Sequence, residues 1–223
     1  SIRHNSVTML NTLINILSLC ITIQGFILVH DVPRKIVKIL TVDNGAGWGY
    51  WHGPHFCAEG TFAVGYSMKI ESDQHGGDDT SLNAILLQCE SVEGSQFGGH
   101  VGSGEGDYGE WKGWTRCDNN GGTHDFLTAF SLQVESSQGI YHDDTAANYV
   151  KFMCRDLKSD MNQYELAYPP GRGYWGSYGG WSESCPLNSA ICGIQTRIEG
   201  PQNKGDDTGL NDVKFFCCES SIR

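Results

Sequence analysis

GDDTSLNAILLQC, residues 77–89, returns as DDTAANYVKFMC at 143–154 and as DDTGLNDVKFFC at 206–217. The copies start 63 to 65 residues apart, and in each a Cys follows the first Asp by 11 positions. A period this regular in a chain of 223 residues marks an internal three-fold repeat. Upstream of each copy the sequence alternates. Phe62, Val64, Tyr66, Met68 and Ile70 fall on one face of the first unit; Phe126, Thr128, Phe130, Leu132 and Val134 on that of the second; Ala190, Cys192, Ile194, Thr196 and Ile198 on that of the third. Period two over such a length predicts a half-buried β-strand. Downstream, Ile85, Val150 and Val213, then Leu87, Phe152 and Phe215, occupy matching positions of a return strand. Each unit therefore reads as an antiparallel hairpin closed by a loop that ends in Asp-Asp-Thr.

Units of about 60 residues are too small to hold separate cores, so the three must share one. The 29 glycines suit short strands and tight turns, and no segment has the periodicity of an amphipathic helix. The expectation is one all-β domain over 31–223, with repeats at about 36–93, 94–158 and 159–223. The formal charge of −11 repels phosphate backbones and anionic lipid, which argues against nucleic acid as a partner and leaves neutral glycans and basic proteins. The chain is read as a monomer.

Residues 1–30 contain MLNTLINILSLCITIQGFILVH from Met9 onward, uncharged and followed at once by a Cys-rich body. This reads as a leader with a secretory signal peptide, initiated at Met9 and cleaved at or shortly after Gly25, so that the body is secreted and free of the membrane. Nine cysteines less Cys20 in that segment leave eight, an even number for an oxidised, extracellular chain. Each unit has one Cys before its alternating strand and one at the end of its return strand. This pairs Cys57 with Cys89, Cys117 with Cys154 and Cys185 with Cys217, and leaves Cys192 for Cys218. No C-x-x-C spacing suggests a metal, and neither metal nor cofactor is expected. His52 and His55 have ligand-like separation, but the sequence places no third ligand beside them.

Gly- and aromatic-rich stretches precede the first Cys of each unit: GAGWGYWHGPHFC at 45–57, GDYGEWKGWTRC at 106–117 and GRGYWGSYGGWSESC at 171–185. Trp51, Trp111 and Trp181, at nearly matching distances from their Cys, read as fillers of a three-fold core. The less regular Trp48, Trp114 and Trp175 are the candidates for stacking on a pyranose. The six aspartates, Asp78, Asp79, Asp143, Asp144, Asp206 and Asp207, could be imagined as catalytic pairs or as a Ca²⁺ loop. Their threefold repetition, with Asn83, Asn148 and Asn211 closing the same D-D-T-x-x-N frame, argues instead for structural turns. Glu71, Glu135 and Glu199, at strand ends, read as solvated face residues.

These elements together resemble the vitelline membrane outer layer protein I family. The resemblance rests on the D-D-T-x-x-N runs, the strands beginning at Phe62 and Phe126, the eight paired cysteines and the VKF-type return strands, and runs from about Ile36 to the end. It implies a β-prism, three Greek-key sheets about a pseudo-three-fold axis, stabilised by disulfides. It also implies a secreted component of an extracellular coat that binds glycans or matrix proteins. A chito-oligosaccharide transferase-like activity is attributed to the family, and related prisms include lectins, so an enzyme acting on N-acetylglucosamine oligosaccharides and a defence lectin are the alternatives. No catalytic residues carry over. His142 in place of Gly, and Ala190-Ile191 where the other strands begin with Phe, depart from strict symmetry.

Overall fold

The computed structural model describes residues 34–74, 80–118, 124–136, 145–202 and 208–221. Three long hairpins dominate it: β4 (Thr61–Ile70) with β5 (Leu82–Ser91), β9 (Phe126–Val134) with β10 (Ala147–Arg155), and β13 (Ser189–Ile198) with β14 (Leu210–Glu219). Each return strand gains an outer neighbour, β6 (Phe97–Val101) on β5, β11 (Tyr164–Leu166) on β10 and β1 (Ile36–Leu40) on β14. The other edge of each hairpin takes a two-residue strand: β7 (Glu110–Trp111) on β4, β12 (Ser177–Tyr178) on β9 and β2 (Tyr50–Trp51) on β13. Two further short strands, β3 (His55–Phe56) and β8 (Thr115–Arg116), add to β13 and β4. In the first two sheets the chain runs hairpin, outer strand, then crossover to the far edge, which is a Greek key. The third sheet borrows β1, β2 and β3 from the front of the chain. The fold is thus an all-β prism of three Greek-key sheets closed into a ring, with four disulfides.

The sheets share one interior. Tyr66, Phe130, Phe152 and Phe215, fully buried on four different strands, pack ring against ring in a chain, tilted between Tyr66 and Phe152 (4.7 Å) and edge to face between Phe152 and Phe215 (5.1 Å) and between Phe215 and Phe130 (4.8 Å between ring centroids). Leu and Ile from all three hairpins fill the space around them. No Trp enters the core. Trp111 and Trp181 are 39% and 37% exposed, and Trp51 is half-buried beneath the Lys214 ammonium, 4.2 Å from its ring centroid. The expectation that Trp51, Trp111 and Trp181 fill the interior is therefore corrected. Each of the three sits in the segment that pairs along the outside edge of a hairpin, and the aromatic volume inside comes from the hairpins themselves.

Strict alternation also fails at one place in each long strand. Val64, Thr128 and Cys192 are extra residues in the ladders: Ala63 pairs with Cys89 and Gly65 with Gln88, and the same one-residue slip occurs at 127–129 and 191–193. A bulge reverses the facing of everything beyond it. Ala63, Tyr66 and Met68 accordingly share the main core, whereas Phe62 and Val64 join Phe126, Ala190 and Cys192 in a second, smaller cluster at one end. Each bulge frees a carbonyl, and each freed carbonyl accepts a hydrogen bond from a half-cystine of the adjoining edge segment. Cys117 N donates to Val64 O, Cys185 N to Thr128 O and Cys57 N to Cys192 O, all at 2.8 Å.

That placement determines what the disulfides do. Cys57, held on the β13–β14 sheet, bonds Cys89 of β5; Cys117, held on β4, bonds Cys154 of β10; Cys185, held on β9, bonds Cys217 of β14. The three bridges run from sheet to sheet around the prism and close a covalent ring. Cys192–Cys218 lies within the β13–β14 sheet alone.

Candidate functional site: grooves at the sheet seams

Where each hairpin turns, a three-part clamp repeats. Thr80 Oγ1 donates to Glu71 Oε2 at 2.6 Å and accepts from Asn83 Nδ2 at 2.6 Å. Thr145 does the same between Glu135 (2.9 Å) and Asn148 (2.6 Å), and Thr208 between Glu199 (2.8 Å) and Asn211 (2.7 Å). The residue after each Thr is left-handed: Ser81 at φ 52°, Ala146 at φ 49° and Gly209 at φ 61°. Only the third copy uses the residue that suits this conformation. In all three the Asn amide also reaches the carbonyl of that residue at 3.2 Å, which helps fix it. The strand-end glutamates are thus turn anchors, not merely solvated face residues. The six aspartates of the repeated run lie outside the described residues.

Beside each clamp stands an aromatic-glycine pair: Trp48-Gly49, Tyr108-Gly109 and Trp175-Gly176, the glycines at φ 71°, 81° and 72°. A Cβ on Gly49, Gly109 or Gly176 would strike the backbone at Ile198, Ile70 or Val134, so these glycines let the edge strands β2, β7 and β12 approach closely. By this correspondence Trp48, Tyr108 and Trp175 are structural equivalents, and so are Trp51, Trp111 and Tyr178. Tyr178, not Trp181, occupies the third position, with Lys151 Nζ 4.5 Å from its ring centroid as Lys214 lies over Trp51. Counting back from the Cys misaligned the third repeat because its edge segment is longer.

Of the candidate stacking residues, Trp48 is 40% exposed and lines a groove of about 450 Å³ between the β13–β14 and β9–β10 sheets, with Asp43, Asn44, Glu135 and Tyr178. Trp175 is half-buried; its N–H donates to Asn148 Oδ1 (3.2 Å) and its carbonyl accepts from Gln133 Nε2 (2.6 Å). Trp114 lies elsewhere, stacked on the His100 imidazole at 4.2 Å. The three do not converge on one site. Among the described residues no three His, Cys, Asp or Glu side chains come together as metal ligands. His55 Nδ1 lies 2.7 Å from Gly102 O, and His52 packs against Gly104.

A larger groove, about 620 Å³, opens between the β4–β5 and β9–β10 sheets. Ile70, Ser72, Ser81 and Lys112 line one side; Gln133, Tyr149 and the segment Tyr168–Gly176 line the other. That segment is irregular, yet its backbone is tied down at several points along its length. Tyr168 N donates to Tyr66 Oη at 2.9 Å, and Tyr66 Oη in turn donates to Val150 O at 3.0 Å. Tyr168 O accepts from Tyr149 Oη at 2.6 Å and from Gly171 N at 2.7 Å. Gly171 O accepts from Tyr178 Oη at 2.9 Å, and Gly173 N donates to Gln133 Oε1 at 2.9 Å. Burial pushes the Tyr149 phenol up to about 12 and those of Tyr66 and Tyr178 well above the ordinary tyrosine value, so all three remain donors throughout the physiological range. On this fixed frame Tyr174 stands 74% exposed beside the half-buried Tyr168. Neither tyrosine was singled out from the sequence. The available signal was the Y-P-P-G-R-G-Y run at 168–174, which has no counterpart in the other two repeats.

The molecule defined so far is a disulfide-ringed β-prism whose repeated turns are structural and whose solvent-open grooves lie where the sheets meet. The chain belongs to the vitelline membrane outer layer protein I family, whose model matches residues 38–220. It is 43% identical to a human vitelline membrane outer layer protein 1 homolog over 193 residues, 85% of this chain and 87% of the relative. It is 41% identical to the mouse homolog over 86% of this chain and 88% of the relative. Among solved structures it is similar to a mannose-specific jacalin-related lectin from Morus nigra in complex with mannose, with 14% identity and a TM-score of 0.45, over 83% of this chain and 94% of the lectin. A likeness of that degree assigns no ligand.

Proposed function

We propose that this chain is a secreted component of an extracellular coat and that it binds glycans through the groove bounded by Tyr168 and Tyr174. Membership of the vitelline membrane outer layer family and four disulfides support an extracellular setting. The observation that carries the binding reading is the pinned Tyr168–Gly176 segment. Three buried tyrosine hydroxyls and Gln133 hold it in place, so little ordering cost remains when a ligand enters. Tyr168 and Tyr174 offer ring faces to the apolar side of a pyranose, and Ser72, Lys112 and Arg172 offer donors to its hydroxyls. The Trp48 groove is a second place of the same kind, with Asp43, Asn44 and Glu135 among its polar groups. Coat proteins remain the other class of partner, and the chain acts as a monomer in this reading.

The test is calorimetric titration with chito-oligosaccharides and a panel of N-glycan fragments, with mass spectrometry of the recovered sugars. Binding that Tyr174→Ala weakens by roughly tenfold, the scale of a lost stacking contact, with unchanged Tm and unaltered sugars, is the expected result. New oligomer lengths would replace this reading with glycosyl transfer. Absence of binding to every sugar would leave only the coat-protein role.

A further inference from the structure

We propose that the Tyr168–Gly176 groove is selective for an anionic saccharide, one bearing a carboxylate or a sulfate; the proposal rests on the glycan-binding reading of the same groove. The chain carries a formal charge of −11, yet no described residue lining this groove is acidic, and two, Lys112 and Arg172, are basic. The Trp48 groove differs in this respect, because Asp43 and Glu135 line it.

The other described cations are largely committed. Lys35, Lys38, Lys69, Arg116 and Lys151 each meet a carboxylate. Arg34, Arg155 and Arg197 hold backbone carbonyls, and Lys214 lies over Trp51. Lys112 and Arg172 have no such partner among the described residues; Lys158, exposed in the loop after β10, is the remaining case. Two uncommitted cations facing one cavity on a protein this acidic create a local positive potential that a neutral sugar does not use.

Both side chains also spring from fixed backbone. Lys112 N donates to Met68 O at 2.8 Å and its carbonyl accepts from Ser67 Oγ at 2.7 Å. The glycines flanking Arg172 are each held, Gly171 by Tyr168 and Tyr178 and Gly173 by Gln133. A planar guanidinium carried on backbone anchored on both sides suits the paired oxygens of a carboxylate or sulfate, and the ammonium supplies a second charge. Tyr168 and Tyr174 would take the pyranose that carries the anion.

The experiment compares N-acetyllactosamine, its sialylated form and its 6-sulfated form by calorimetry against the oxidised protein, at low and high salt. The expected result is that one or both charged forms bind at least roughly tenfold tighter than the neutral one, as a charge-assisted hydrogen bond allows, with the advantage shrinking in salt. The sialylated and sulfated arms show which anion is preferred. The double variant K112Q/R172Q should abolish the advantage, bringing the charged forms down to the affinity of the neutral one, at unchanged Tm because both side chains lie outside the core. Equal binding of all three sugars would overturn the charge selectivity while leaving glycan binding intact. A preference that persists in the double variant would place the anion elsewhere and overturn the assignment. Absence of binding to all three sugars, and to the wider panel, would overturn the glycan reading together with this one.

Discussion

A hydroxyl at positions 80, 145 and 208 joins the two ends of each hairpin, because one Thr oxygen serves the strand-end glutamate as donor and the buried asparagine as acceptor. Replacing Thr80 by Val keeps the shape and removes both bonds, depriving buried Asn83 of one partner. The expected loss is about 1–3 kcal/mol, read as a lower urea midpoint at unchanged slope. The buried phenols give a second prediction at this scale. Tyr149 is neutral in both states below its unfolded value of 10.0 and stays neutral in the folded state up to about 12. The unfolded state therefore binds fewer protons between those values, and stability is complete below pH 10.0 and lost as pH rises toward 12. Urea midpoints measured from pH 9 upward should fall in that window, more shallowly in Tyr149→Phe. A flat profile would mean that the phenol is not buried in solution. The Thr and Asn of each clamp were legible as a repeat, but the role of Glu71, Glu135 and Glu199 was not, since a strand-end carboxylate finds its partner about ten residues away only once the hairpin closes.

The elements show a division between what is periodic and what is bulged. The hairpins, their order and the eight cysteines could be read from spacing. The bulges at Val64, Thr128 and Cys192 could not, because a bulge follows from which edge segment needs the freed carbonyl, and those segments come from the neighbouring unit. The disulfides follow from this offset. Cys57–Cys89, Cys117–Cys154 and Cys185–Cys217 each cross a seam, at sequence separations of 32, 37 and 32, whereas Cys192–Cys218, at a separation of 26, lies within one hairpin. Substituting Ala for both members of Cys57–Cys89 should cost about 3–4 kcal/mol by the chain-entropy account. The Cys192/Cys218 pair should cost less, since β13 and β14 remain joined along their whole ladder. Parallel denaturant titrations check this, and a larger loss for the second pair would contradict the view that the seams are what the disulfides protect.

For the whole molecule, the sheet of the last hairpin is completed on its outer edge only by β1, from the front of the body, which pairs along β14. Leu40 is buried in the common core, and Arg34 reaches three carbonyls of the 57–61 segment. A chain beginning at Thr41 loses both and exposes the edge of β14. Removal of the Leu40 side chain alone is worth about 2–5 kcal/mol against a total stability of about 5–15 kcal/mol. The truncated chain is expected to lose its cooperative thermal transition, as followed by near-ultraviolet circular dichroism. Retention of a sharp transition would show that two closed sheets suffice.

The sequence by itself determined the three-fold count, the β class, the partners of the cysteines and the family, because all of these are written as local patterns at a fixed period. Only the tertiary structure decided which Trp face solvent, that Tyr178 stands in the place read for Trp181, and that Tyr168, Tyr174, Lys112 and Arg172 surround one groove. These depend on neighbouring units meeting at a seam, and residues brought together across a seam share no spacing that a linear reading could detect.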